Sequence, residues 1–374
     1  MTKRLMEGSE AIAEAAIACG CRFFAGYPMT PFTELLEHFA KKLPAVGGVC
    51  VNAESELEAV GMAWGALATG ARAATGSTGQ GLSLMQESFS EITLAELPLV
   101  AFNMARGQGD YFQSTRGGGH GDYRHIVLAP MDIGEAVELT QLAFHLADVW
   151  RTPVLVQGDY LLAHTAEAVD VTPLDFGPPV AKEWAVDGST GGSGGSKVIS
   201  PLGIGKTNTP GPGIEGQQRA VADKMARIAA GAAGEADEAG AAGEARAESG
   251  FLDDAEHVVV AFGTPAKFVR YAVRQLRDQG LRVGYVRPIT LWPFPADAVA
   301  AAATGKRSVL VFELNAGQMI DDVRLAVLGR ADVRFIGGIS TDHAGFGVGA
   351  LLDVEVIARR IEAAISQEHE GVRA

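Results

Sequence analysis

A glutamate that follows a short apolar strand and opens an apolar helix carries the greatest chemical promise in this chain. In Val49-Cys50-Val51-Asn52-Ala53-Glu54-Ser55-Glu56, the valines give strand character. Residues 57–69 hold no proline, few polar groups and apolar residues on every face, which predicts a helix buried all round. Glu56 is therefore expected near the mouth of a core, where a carboxylate is costly to keep charged without a partner. It is either capped by backbone N–H groups at the helix start, the commoner fate of an acid at such a junction, or held for a ligand.

Three further loops fall at the carboxyl ends of candidate strands, where open α/β sheets bind ligands, so all four should converge. In Gly26-Tyr27-Pro28-Met29-Thr30-Pro31, Thr30 is placed to cap a helix beginning at Pro31. Thr75-Gly76-Ser77-Thr78-Gly79-Gln80-Gly81 is a glycine-rich turn opening a helix, whose amides can approach a ligand closely; it fits neither the Walker A spacing nor the dinucleotide fingerprint. The last, Asn103-Met104-Ala105-Arg106-Gly107, offers an arginine that can clamp a carboxylate with two hydrogen bonds or pair with Glu54 or Glu56 as a structural ion pair. Downstream, His120, Tyr123 and Arg124 either face a substrate or fold the glycine-rich loop 117–124. His164 reads as a surface or domain-junction residue, and Trp292 with its prolines as packing.

Alternating strands and helices must position these loops. Strands are expected at 21–24, 49–52, 71–75, 99–103, 126–128 and 154–157, with helices at 9–19, 31–42, 57–69, 81–95 and 133–149, the pattern of a doubly wound parallel sheet. Ser9 reads as the first helix's N-cap and Gly20 as its stop. Composition then shifts: 188–196 is nearly all Gly, Ser and Thr, and 229–250 is Ala, Gly and Glu in low complexity. Between these poor halves, 197–203 and a short helix near 217–228 look structured, so the connector is expected to dock in its middle. A second, smaller α/β pattern begins at His257, with strands at 258–262, 282–286, 309–313 and 333–336 and a helix at 265–279. The resulting division is 1–175, a connector over 176–254, and 255–374.

The chain has 374 residues, enough for two sizeable cores. Its 31 Lys plus Arg against 45 Asp plus Glu give a net charge of −14, which argues against a nucleic-acid or anionic-membrane surface. Three cysteines, Cys19, Cys21 and Cys50, are too few for an iron–sulfur cluster and suit a reducing cytoplasm. Neither a signal peptide nor a membrane span is expected. Any iron–sulfur centre or flavin would have to lie in another chain.

The four loops, in their order, resemble the pyrimidine-binding domain of the alpha subunits of 2-oxoacid:ferredoxin oxidoreductases, which are thiamine diphosphate enzymes. Tyr27-Pro28-Met29-Thr30-Pro31 is similar to that family's Tyr-Pro-Ile-Thr-Pro loop, and Ser55-Glu56 with Gly61 resembles its glutamate-bearing helix start. The run from Asp110 to Tyr123 looks like the 2-oxoisovalerate branch. Arg287-Pro-Ile-Thr-Leu-Trp-Pro-Phe-Pro295 and Glu313-Leu-Asn-Ala-Gly-Gln-Met319 resemble the family's second domain, which has the transketolase C-terminal fold.

By that resemblance Glu56 touches the pyrimidine nitrogen of thiamine diphosphate and favours the imino tautomer, in which the former amino nitrogen takes the thiazolium proton to give the ylid. Tyr27, Pro28, Met29, Ser77, Thr78, Gly79 and Gln80 would contact the cofactor, while Thr30 and Arg106 hold the 2-oxoacid carboxylate. Two electrons would leave singly for a cluster, and coenzyme A would take the acyl group. The family's Gly-Asp-Gly magnesium motif is absent: only Gly121-Asp122-Tyr123 and Gly158-Asp159-Tyr160 occur. The resemblance therefore implies half of a cofactor site. The diphosphate and Mg2+ would be held by a beta subunit and [4Fe-4S] clusters by partner subunits, with gamma and ferredoxin-like chains and ferredoxin or another acceptor beyond. The segment from Arg106 to Asp110 is shorter than in typical branched-chain members. Branched-chain or aryl 2-oxoacids lead the substrate expectation; the competing readings are a non-oxidative thiamine diphosphate lyase or transketolase-like half, and a noncatalytic assembly subunit.

Overall fold

In the computed structural model, residues 3–186, 211–230, 244–339 and 352–371 are described; the expected ordered stretch 197–203 lies outside them. The apolar runs become inner strands of a seven-stranded sheet. From edge to edge it runs Thr290–Trp292, Ile126–Leu128, Val154–Asp159, Val100–Ala105, Ala73–Ser77, Phe23–Gly26 and Val49–Asn52. All neighbours are parallel except Thr290–Trp292, which is antiparallel to Ile126–Leu128. Ala73–Ser77 and Val100–Ala105 are buried at every residue, as a parallel sheet covered on both faces requires. Phe24 stacks on Phe39 at 3.9 Å within this core.

The second lobe has a five-stranded sheet ordered Asp332–Phe335, Ser308–Val311, His257–Val260, Val283–Pro288 and Ala247–Gly250, the last antiparallel. Its strands alternate as their pleat demands. Val258 and Val260 join the core continuous with the first lobe, while Val259 packs on the other side with Val269, Val273, Ile357 and Ile361 of helices Gly263–Asp278 and Val354–Gly371.

The lobes interlock. Thr290–Trp292, reached only after three strands of the second sheet, adds an edge to the first sheet, and the half-buried Trp292 packs against the core from that strand. Arg287, 2% exposed, bonds both oxygens of Glu135 at 2.7 and 2.8 Å and takes in Glu248 at 2.8 Å. The connector's helix, Gly213–Ala230, docks on the first lobe through Val221, Met225 and Ile228.

Several local expectations are corrected. The first helix, Gly8–Ala18, has Glu7 at its N-cap, and the Ser9 hydroxyl instead donates to the Ala163 carbonyl across the core. The helix expected over 81–95 is two, Gly79–Leu84 and Gln86–Ala95, joined at Met85. Helix Glu56–Ala68 is buried on one side only, with Leu57 and Met62 exposed, because among the described residues nothing covers its other side. The strand Ala247–Gly250 lies within the stretch read as low complexity; pairing with Val283–Pro288 orders it despite its composition. Among the described residues no helix is long and apolar enough to cross a membrane.

Candidate active site

Ser55 and Glu58 cap the Glu56 helix. The Ser55 hydroxyl accepts from the Glu58 amide at 3.3 Å, and the Glu58 carboxylate accepts from the Glu54 amide at 3.0 Å. Glu56 is thereby relieved of capping and turns inward, 3% exposed. Its Oε1 accepts from the Ser77 hydroxyl at 2.9 Å, which joins the second loop to the third. Gly81 is required beside them. A Cβ there would fall 2.1 Å from Ser77 Oγ and 2.3 Å from Glu56 Oε1, so the space is filled by that hydroxyl and carboxylate.

Two other glycines bring the loops together. The buried Phe32 ring lies where Cβ atoms of Gly26 and Gly76 would be, at 2.9 and 2.6 Å. Burying that ring also delays the helix, which is Thr33–Lys42 with Phe32 at its N-cap, so Thr30 does not cap it. Thr30 serves instead through its carbonyl, which accepts from Arg106 Nε at 3.0 Å, while Arg106 Nη1 reaches Gln80 Oε1 at 3.4 Å. Arg106 makes no ion pair with Glu54 or Glu56 among the described residues; its guanidinium is held by neutral oxygens and stays free to meet an anion.

Thr78, Gly79, Gln80 and Arg106 line a cleft of about 370 Å³ with Ser83, Asp110 and Gln113. Glu56 and Ser77 sit behind the glycine-rich turn and do not line it. Tyr27 and Pro28 are exposed and Met29 half-buried on the neighbouring loop. Two buried oxygens here lack any protein partner among the described residues: Thr78 Oγ1 and Asn103 Oδ1. Such atoms are expensive unless a ligand or water meets them, and both belong to the turn and strand that frame the cleft.

Asp110 had no role in the sequence reading. Its carboxylate accepts from Asn103 Nδ2 at 3.1 Å and Gln113 Nε2 at 3.0 Å, and it abuts Gly79, where a Cβ would lie 2.6 Å from Oδ1. Burial raises its pKa, partly offset by those bonds and by Arg106. The available signal was an acid four residues beyond Arg106 on the same strand-end loop.

His120, Tyr123 and Arg124 do not reach this cleft. The Tyr123 hydroxyl accepts from the amides of Gly118 and Gly119 at 3.2 and 3.0 Å, and His120 lies between Ser90 at 3.2 Å and Glu91 at 3.3 Å. Arg124 donates to the carbonyls of Tyr123 and Arg116. All three fold the glycine-rich loop. Asp159 caps a short helix through the Leu162 amide and accepts from Thr264 Oγ1, both on Oδ1.

Residues 14–228 match the family model described as pyruvate flavodoxin/ferredoxin oxidoreductase, thiamine diphosphate-binding, and 255–344 that of pyruvate:ferredoxin oxidoreductase core domain II. Ketoisovalerate oxidoreductase subunit VorB of Methanothermobacter thermautotrophicus is 38% identical over 336 residues, covering 87% of this chain and 90% of that protein. 2-Oxoglutarate synthase subunit KorA of the same organism is 35% identical over 364 residues, covering 88% and 93%. Among solved structures, a 2-oxoglutarate:ferredoxin oxidoreductase from Magnetococcus marinus, with 2-oxoglutarate, coenzyme A and succinyl-CoA bound, superposes with TM-score 0.73 at 23% identity. It covers 97% of this chain and 65% of that one, a likeness of fold.

Proposed function

Because this chain belongs to the pyruvate flavodoxin/ferredoxin oxidoreductase family of thiamine diphosphate-binding proteins, we propose that it is the alpha subunit of a multi-subunit 2-oxoacid oxidoreductase. The reaction takes a 2-oxoacid, coenzyme A and an oxidised acceptor to acyl-CoA, carbon dioxide and acceptor reduced by two electrons. The observation that carries this reading is Glu56: a buried acid excused from capping, with one oxygen on Ser77 and packed so closely on Gly81 that no side chain fits there.

These residues fit thiamine diphosphate. The orphaned Thr78 Oγ1 suits a polar ring, and the buried Glu56 carboxyl, bonded to Ser77 through one oxygen, suits a ring nitrogen with the other. When bound, the cofactor supplies the electron sink for loss of carbon dioxide. Glu56 holds the shared proton, and the Ser77 hydroxyl fixes which oxygen of Glu56 is free to do so. Arg106, steadied by the Thr30 carbonyl and Gln80, receives the 2-oxoacid carboxylate; Thr78 and Gln80 contribute polar atoms on the cofactor side. The engagement of Asp159 in capping supports a diphosphate and magnesium site on a beta subunit, with clusters on further partners.

Identity to a ketoisovalerate oxidoreductase subunit supports branched-chain 2-oxoacids as the leading substrates, with aryl ones beside them. The likeness to oxidoreductase subunits over most of the chain disfavours a non-oxidative half-enzyme. The test is Glu56→Gln in the assembled complex, assayed with a branched 2-oxoacid, coenzyme A and a viologen dye. Turnover should fall about 10²–10⁴-fold with the unfolding temperature unchanged; native turnover in that variant overturns the reading.

A further inference from the structure

The loop that carries Arg106 is shaped by the second lobe. Between Arg106 and Asp110, both at the cleft, Gln108 points away from it and is 4% exposed. Every polar group of Gln108 is taken by the second lobe. Its amide donates to the Leu314 carbonyl at 3.3 Å, its Oε1 accepts from the Leu314 amide at 2.8 Å, its carbonyl accepts from Asn315 Nδ2 at 2.9 Å, and its Nε2 donates to the Phe262 carbonyl at 2.9 Å. Gln318 grips the same loop on either side of Asp110. Its Nε2 donates to the Gly109 carbonyl and its Oε1 accepts from the Phe112 amide, both at 2.8 Å.

That grip is itself fixed. The wholly buried Glu313 carboxylate accepts from Asn315 Nδ2 at 2.8 Å and from the amides of Gln318, Met319 and Ile320 at 2.8 to 3.0 Å. A carboxylate with so many donors at a helix start has one low-energy arrangement, so the Asn315 side-chain amide and the Gln318 backbone are held in fixed positions. Gly107 and Gly109 flank Gln108, and a free loop with two glycines would sample many shapes; the second lobe selects one.

We propose that the 313–318 segment of the second lobe is a positioning device for substrate recognition, acting through Gln108 and Gly109 to hold Arg106 where it meets the 2-oxoacid carboxylate. This rests on the reading of Arg106 given above. Gln318 does not line the cleft, and its effect passes through the loop alone.

The experiment is a double-mutant cycle in the assembled complex between Gln318→Ala and Arg106→Ala, with steady-state kinetics on 2-oxoisovalerate and a viologen acceptor. For Gln318→Ala the oxoacid KM should rise about tenfold, while kcat, the coenzyme A KM and thiamine diphosphate affinity by calorimetry change by less than about twofold. In the double variant the KM should rise no further than in Arg106→Ala. Independent, multiplying effects, or an unchanged oxoacid KM in Gln318→Ala, overturn the proposal. An Arg106→Ala variant with native KM overturns the underlying reading as well, which separates the two failures. Gln318→Met keeps the side-chain volume and serves if the alanine variant does not assemble.

Discussion

Glu313 and Glu56 are both buried glutamates at the junction of a parallel strand and a helix, yet their surroundings differ in kind. Glu313, in the second lobe, meets four donors from its own lobe and has nothing left to offer. Glu56, in the first, has the Ser77 hydroxyl as its hydrogen-bond donor among the described residues, with Ser55 doing the capping. A carboxylate whose demand is met internally holds structure together; one whose demand is left open is poised for a ligand.

The sharpest way to break this contrast is to remove each acid. Glu313→Ala leaves buried amides without an acceptor and should cost about 3 kcal/mol or more in urea unfolding, whereas Glu56→Ala should cost far less. Equal losses would show that the two acids are equivalent anchors. Next in size is Gly81→Ala, whose Cβ overlaps Ser77 Oγ and Glu56 Oε1. It should lower thiamine diphosphate affinity at least about tenfold while costing about 1–3 kcal/mol of stability, and calorimetry on the complex measures the first.

The smallest effect is in pH, where the two regions should carry opposite signs. Asp110 at the cleft has a raised pKa, chiefly from burial, so its ionised form penalises the fold; Asp110→Asn should gain stability over the native chain as pH rises through that elevated value. At the lobe junction, burial pushes Glu248 up, but bonds from Tyr285 and Arg287 and the charges of Arg287 and Arg270 outweigh it and leave its pKa lowered. Its contribution is present above the ordinary carboxylate value and is lost as pH falls through the lowered one. Glu248→Gln should therefore be less stable than the native chain at neutral pH and converge with it in acid. Parallel urea titrations from pH 7 to about pH 3 would show the two differences moving oppositely.

Much of this was legible from residue order because local signals agreed with the fold. Val49–Asn52 and Ile126–Leu128 begin and end where their apolar runs do. What escaped was decided by contacts distant in sequence. Phe32 displaced the cap from Thr30 because its ring fills the space left by Gly26 and Gly76, and Ser9 lost its capping role to the Ala163 carbonyl. Glu56 was found by its place between strand and helix, but the glycine that makes its cradle lies 25 residues on, across a parallel pairing that periodicity does not reveal. Asp110 was hidden for a related reason, since its burial comes from Asn103, Gly79 and Gln113 closing around it.

The Thr290–Trp292 strand has a consequence for how this polypeptide is made. Until residue 292 has left the ribosome, the nascent first sheet stays one strand short and shows the naked margin of Ile126–Leu128 to its surroundings. Synthesis of the two halves from separate messages would therefore release a sticky fragment, and a fusion or permutation of this chain should keep that late segment covalently in step with the early ones.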